Sequence, residues 1–165
     1  MDCISKENPS IKIIKIMSTY SEEIENKLND LLEKTYDAEK GYEKAAENTD
    51  HSMLQSYFEK RSKERYNFGH ALKAEMARFG LEPEEGGSAT GTLHRAWMDT
   101  KALFSADEAE SMLEESIRGE KAAIEEYEDI LKDTTLPGST TSLLTNQMES
   151  INTNLHTIRR LEDLS

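Results

Sequence analysis

Two glutamates, Glu39 and Glu120, stand where apolar helical stripes would otherwise run unbroken. Around the first the stripe reads Leu28, Leu32, Thr35, Glu39, Tyr42, Ala46. Around the second it reads Ala109, Leu113, Ser116, Glu120, Ala123 or Ile124, Tyr127, and Ile130 or Leu131. Steps of three and four residues keep one face of a helix inward, so both carboxylates point toward a core. An ionised carboxylate is costly to bury alone. A metal, an arginine or a shared proton makes the burial tolerable. Glu64 lies inward one turn before Phe68, and Glu149 borders the stripe Leu144, Met148, Ile151, Leu155, Ile158. Four carboxylates, one from each of four helices, suit hard cations or a di-iron or di-manganese centre with about two ions per chain.

The nitrogen ligands of such a centre fit less well. Di-metal carboxylate sites use Glu-x-x-His, because i and i+3 bring both ligands to one ion. Here the i+3 positions hold Asn67 and Asn152. His70 follows Glu64 by six residues, and His156 follows Glu149 by seven on the same stripe. At 1.5 Å per residue these are about 9 and about 10.5 Å along the axis. The candidate metal ligands are therefore Glu39, Glu64, Glu120, Glu149 and His156. The competing reading pairs the same glutamates with Arg61, Arg65, Arg118 or Arg159 in a buried or half-buried salt-bridge network. Tyr42 and Tyr127 either fill the core or stand beside the metal. His51 reads as a first-turn helix residue, and Cys3 as incidental. No phosphate-binding loop, dinucleotide fingerprint or nucleophile elbow is present.

The elements that must position these residues are four long helices. The first opens near Thr19, where Thr19-x-x-Glu22 fits a capping box, and ends at Asn48-Thr49-Asp50. The second starts after Asp50 or Ser52 and stops at Gly80. The third starts at a second capping box, Ser105-x-x-Glu108, and the fourth runs from about Ser139 to Leu161. Short links make two antiparallel hairpins. The link of about 25 residues between the second and third helices is long enough to run the length of a bundle, and it carries a short amphipathic piece, LHRAWMDTKALF. One such crossover is the connectivity of ferritin-like bundles. Leu93, Trp97 and Phe104 would seal it, with His94 able to touch a ligand or partner. Residues 1–17 read as a poorly ordered tail and 18–165 as the bundle. An internal repeat supports this division. LEKTYDAEK (32–40) matches LEESIRGEK (113–121) at an offset of 81, and Glu64-x-x-Asn67 echoes Glu149-x-x-Asn152 at 85. A repeated hairpin gives a pseudo-two-fold bundle in which matched residues face one another.

Composition narrows the function. The 165 residues carry 33 acids against 20 bases, a net charge of −13. That charge repels nucleic-acid backbone and anionic lipid. A single cysteine excludes an internal disulfide framework. No apolar run reaches the roughly 20 residues of a membrane span, and the N-terminus has no signal-peptide core, so a cytoplasmic protein is expected.

Residues 26–162 resemble a bacterial family of ferritin-like four-helix-bundle proteins classed as a domain of unknown function. The resemblance rests on LNDLLEKTYDAEKGYEKAAE, KERYNFGHALKAEM, GTLHRAW, RGEKAAIEEYEDIL, and the last helix with Glu149 and His156. It implies an all-α, ferritin-like four-helix bundle with one long crossover and a metal site at Glu39, Glu64, Glu120 and Glu149. It implies no particular reaction. Two functions follow as expectations. One is iron or manganese redox or iron-handling chemistry in a stress response. The other is a metal-free structural or stress-related bundle that acts by homo-oligomerisation or partner docking. A weaker third is a binder of small or lipid-like molecules between the helices.

Overall fold

The computed structural model describes residues 9–83, 109–132 and 135–162. They form four helices and, among the described residues, no strand: α1 (Pro9–Asn48), α2 (Ser52–Arg78), α3 (Ala109–Leu131) and α4 (Gly138–Glu162). The second capping box and the crossover residues Leu93, His94, Trp97 and Phe104 lie outside the described residues.

α1 begins ten residues before the expected start at Thr19. Pro9 takes the first helical position, where its missing N–H costs nothing and its fixed φ already suits a helix. With no glycine or proline between Ser10 and Lys40, nothing interrupts the helix at Thr19. α2 is capped at both ends. His51 is its N-cap rather than a first-turn residue, and its Nδ1 accepts from the Leu54 N–H at 3.4 Å. At the other end Gly80 adopts φ +70°, a conformation only glycine takes freely. The Gly80 N–H then reaches the Ala77 carbonyl and the Leu81 N–H the Met76 carbonyl, the paired bonds of a Schellman stop.

α1 and α2 form one antiparallel hairpin, and α3 and α4 the other. Across the hairpins, Lys34 of α1 meets Glu126 of α3 while Tyr42 meets Glu120, so α1 and α3 run antiparallel. Glu75 of α2 meets Thr140 of α4 while Glu64 meets Asn154, so α2 and α4 also run antiparallel. α2 and α3 therefore point the same way.

The core divides into two apolar clusters. One gathers Leu28, Leu32, Leu72, Met76, Ile130, Leu144 and neighbours. The other gathers Ala46, Leu54, Phe58, Leu113, Ile158 and neighbours. Polar groups lie between them. Burial follows the expected apolar positions on α1, α3 and α4, with Glu39 only half-buried. Polar residues off the stripes are buried as well, Arg65 and Glu75 on α2 and Thr140, Gln147 and Asn154 on α4.

At Gly69 the two helices of the first hairpin pack closely. A Cβ built there would stand 2.8 Å from the Tyr36 ring. Gly69→Ala should therefore lower unfolding stability by about 1–3 kcal/mol in denaturant titration, since the ring or the helix must shift to admit a methyl group. Tyr36→Leu in the same chain should recover part of that loss.

Candidate functional site

The polar layer is built around Glu120. Its side chain is fully buried at mid-helix on α3, at 0% exposure. The Tyr42 hydroxyl of α1 donates to Oε1, and Arg65 Nη2 of α2 donates to Oε2 at 2.5 Å. Arg65 is itself only 3% exposed. Its guanidinium stacks over the Phe68 ring 5.3 Å away, and its other terminal nitrogen, Nη1, lies 3.8 Å from Glu64 Oε2, beyond hydrogen-bond reach. Burial pushes the Glu120 carboxyl up, and the adjacent Arg65 charge pulls it back down without cancelling the rise. Burial disfavours the Arg65 charge, but Glu120, with smaller help from Tyr42, Tyr127 and Glu64, more than offsets this and keeps the guanidinium protonated. The Tyr42 hydroxyl is pushed well up, first by burial and then by the Glu120 charge.

Glu64 is satisfied differently. Arg61 Nη1 donates to its Oε2 at 3.1 Å, and Asn154 Nδ2 of α4 to the same oxygen at 2.7 Å. The Ser150 hydroxyl, also of α4, donates to Oε1. Farther along α4, Gln147 accepts from the Tyr127 hydroxyl at 2.8 Å and donates to the Phe68 carbonyl at 3.3 Å, joining α3, α4 and α2. At the end of the bundle the Glu75 carboxylate accepts from Ser139 and Thr140, in the first turn of α4. A negative charge there also meets the positive end of the helix dipole.

The remaining candidates stand apart from this centre. Glu39 lies on the side of α1 facing α2, in a surface groove with Glu43, Glu47 and Glu59, and partial burial raises its carboxyl. Glu149 is exposed on α4. His156 is also exposed, with Nδ1 2.8 Å from the Asn152 carbonyl of its own helix. His70 is exposed and rests on the Tyr66 ring 4.3 Å away. The structure thus brings Glu64 and Glu120 to opposite sides of one guanidinium and leaves Glu39, Glu149 and His156 on outer faces. Among the described residues no three His, Cys, Asp or Glu side chains converge on a common point. As arranged, this donor set does not fit a di-metal centre: both Glu120 oxygens are taken, and a cationic side chain fills the space between the carboxylates.

Sequence reasoning named Arg65 only as one of several salt-bridge partners, and missed Gln147, Ser150, Asn154 and Glu75. Polar residues at core positions of the second and fourth helices were the available signal, since Arg65 directly follows Glu64, and Asn154 falls one turn after the Ser150 it joins.

Removing one member of a buried ion pair strands the other. Glu120→Ala and Arg65→Ala should each cost about 3–5 kcal/mol in chemical denaturation, whereas Arg65→Met with Glu120→Leu should recover most of it. The double-mutant cycle measures the coupling. A second site sets a pH dependence. Asp37 of α1 is half-buried with Oδ2 unpartnered, and burial together with the Glu33 charge raises its carboxyl from 3.8 to about 6. The folded state then holds a proton that the unfolded chain has released, so this contribution is full below pH 3.8 and is lost as pH rises to about 6. Asp37→Asn should raise stability at pH 7 and flatten the pH profile over that window, as read by urea unfolding at several pH values.

A family model described as a domain of unknown function, DUF2383, matches residues 23–133. No curated protein matches the chain. The matched stretch covers about two thirds of the sequence and contains Tyr42, Glu64, Arg65 and Glu120, so the chain belongs to the DUF2383 family.

Proposed function

We propose that this chain is a metal-free, ferritin-like bundle that acts by binding, through assembly with its own copies or docking of a partner, and not through a di-iron or di-manganese centre. The observation that carries the reading is Glu120, whose two oxygens are held by Arg65 and Tyr42. An arginine at that spot supplies the positive charge that a metal ion would otherwise bring to a buried carboxylate. Glu64 is likewise furnished with Arg61, Ser150 and Asn154. The ferritin-like connectivity is supported by the common direction of α2 and α3, which requires the chain between them to join opposite ends of the bundle. Binding iron or manganese would require Arg65 to leave Glu120 and outlying carboxylates to turn inward. The fold alone brings no chemistry with it.

Metal analysis of the full chain, purified aerobically and reloaded with ferrous iron or manganese, tests this reading. The expected result is no stoichiometric metal in the natural chain, in Glu120→Gln or in Glu64→Gln. About two ions per chain, lost in both variants, would overturn it in favour of a carboxylate di-metal site.

A further inference from the structure

Buried polar atoms in folded proteins are almost always paired. Among the described residues, Asp37 Oδ2, the Tyr57 hydroxyl, Arg61 Nε and Arg65 Nη1 break that rule. The last three stand on one face of α2, each four residues after the one before. We propose that the polar layer binds one internal water molecule between Tyr57, Arg65, Glu64 and Glu120.

Two of these atoms fix the place. Tyr57 is 7% exposed and Arg65 only 3%, so neither unpartnered atom reaches bulk solvent. Arg65 Nη1 lies 3.8 Å from Glu64 Oε2, while its Nη2 is committed to Glu120. The Tyr57 hydroxyl faces the same region. Of the charges that act on it, Glu120 is the strongest, followed by Arg61, Arg65 and Glu64. The Arg61 guanidinium, stacked 5.4 Å over the Tyr57 ring and bonded to Glu64, holds both side chains in position. Buried donors and carboxylates set just beyond direct reach of one another are the arrangement that a bridging water closes.

The hydrogen-bond inventory suits water and not an ion. Arg65 Nη1 can only donate, and the Tyr57 hydroxyl has no acceptor in the fold. The carboxylates have capacity left. Glu120 Oε1 accepts from Tyr42 and Oε2 from Arg65, and Glu64 Oε1 accepts from Ser150, whereas each such oxygen carries two lone pairs. A water that accepts from Nη1 and from the phenol, and donates to the two carboxylates, uses all of its own donors and acceptors. The charge balance agrees. Arg61 and Arg65 offset Glu64 and Glu120, so the region is neutral as it stands. An anion there meets two carboxylates, and a cation meets two guanidiniums; a neutral molecule that both donates and accepts meets no such penalty. The inference rests on the metal-free reading of the layer, in which Arg65 and not a metal ion meets Glu120.

The test is a high-resolution crystal structure of the full chain, with urea unfolding as an independent measurement. One ordered water is expected within hydrogen-bond distance of Tyr57 Oη and Arg65 Nη1. Tyr57→Phe should lower the urea midpoint, because it takes a partner from that water. Tyr66→Phe deletes the same hydroxyl from an exposed ring and should leave the midpoint unchanged. A Tyr57 hydroxyl with no partner at all gives the opposite sign, since its removal relieves a desolvation cost. The inference alone is overturned if no water stands at that point, if Tyr57 bonds a carboxylate directly, or if Tyr57→Phe unfolds at the same or a higher urea concentration than the natural chain. A metal ion in the layer, identified by its anomalous scattering, overturns the metal-free reading and this inference together, so the two failures are told apart.

Discussion

A carboxylate and a guanidinium, both withdrawn from water, set the terms for the rest of this bundle. Glu120 comes from the second hairpin and Arg65 from the first, so neither is satisfied unless the two hairpins are packed in one register. Apolar contacts alone tolerate sliding, because one leucine replaces another at modest cost. A buried charge does not tolerate it, since a shift of one turn would leave it without its partner. The division of the core into two apolar clusters with a polar layer between follows from that requirement. Tyr42, Glu64, Asn154 and Gln147 then complete the layer, each meeting a polar atom that would otherwise be stranded.

The internal repeat makes the asymmetry of this layer instructive. Glu39 and Glu120 occupy matched positions on α1 and α3, yet only Glu120 is fully buried. The repeat on the other helix pair pairs Glu64 with Glu149, and hence Arg65 with Ser150. One half of the bundle therefore offers a cation at that level and the other a hydroxyl. A hydroxyl cannot neutralise a buried carboxylate, and Glu39 stands toward the surface among other glutamates. Ser150 serves Glu64 instead. Both groups that hold Glu120 lack a counterpart in the other half: Ser150 stands where Arg65 would be matched, and Ala123 where Tyr42 would be.

Much of the architecture was legible in the chain. The stripes through Leu28, Leu113 and Leu144, the stop at Gly80 and the short links gave four helices paired as hairpins, because periodicity and helix-ending chemistry are local properties. The start of α1 was not legible, since a good capping box at Thr19 has no force when the preceding residues are already helical. At the candidate site, the inward glutamate Glu120 was legible as an anomaly on an apolar stripe. What compensates it was not. Choosing between a metal and Arg65 requires knowing which face of α2 meets α3, and helical spacing places Arg61, Glu64 and Arg65 too close together to say. Glu39 failed as an inward residue for the same reason: its stripe position is shared with the flank that faces α2. His156 lay on the right stripe but at a level where α4 is exposed.

The carboxylate of Glu75 at the start of α4 bears on how the hairpins move. It sits ten residues beyond Arg65 on the same helix, about 15 Å away along the axis. A single buried tie between two rods leaves them free to swivel about it. A second tie at that distance turns the joint into a pinned frame, and the pivoting mode is lost. Motion between the hairpins is then confined to opening both fastenings at once, so separation of the halves should be a rare, cooperative event and not a gradual breathing.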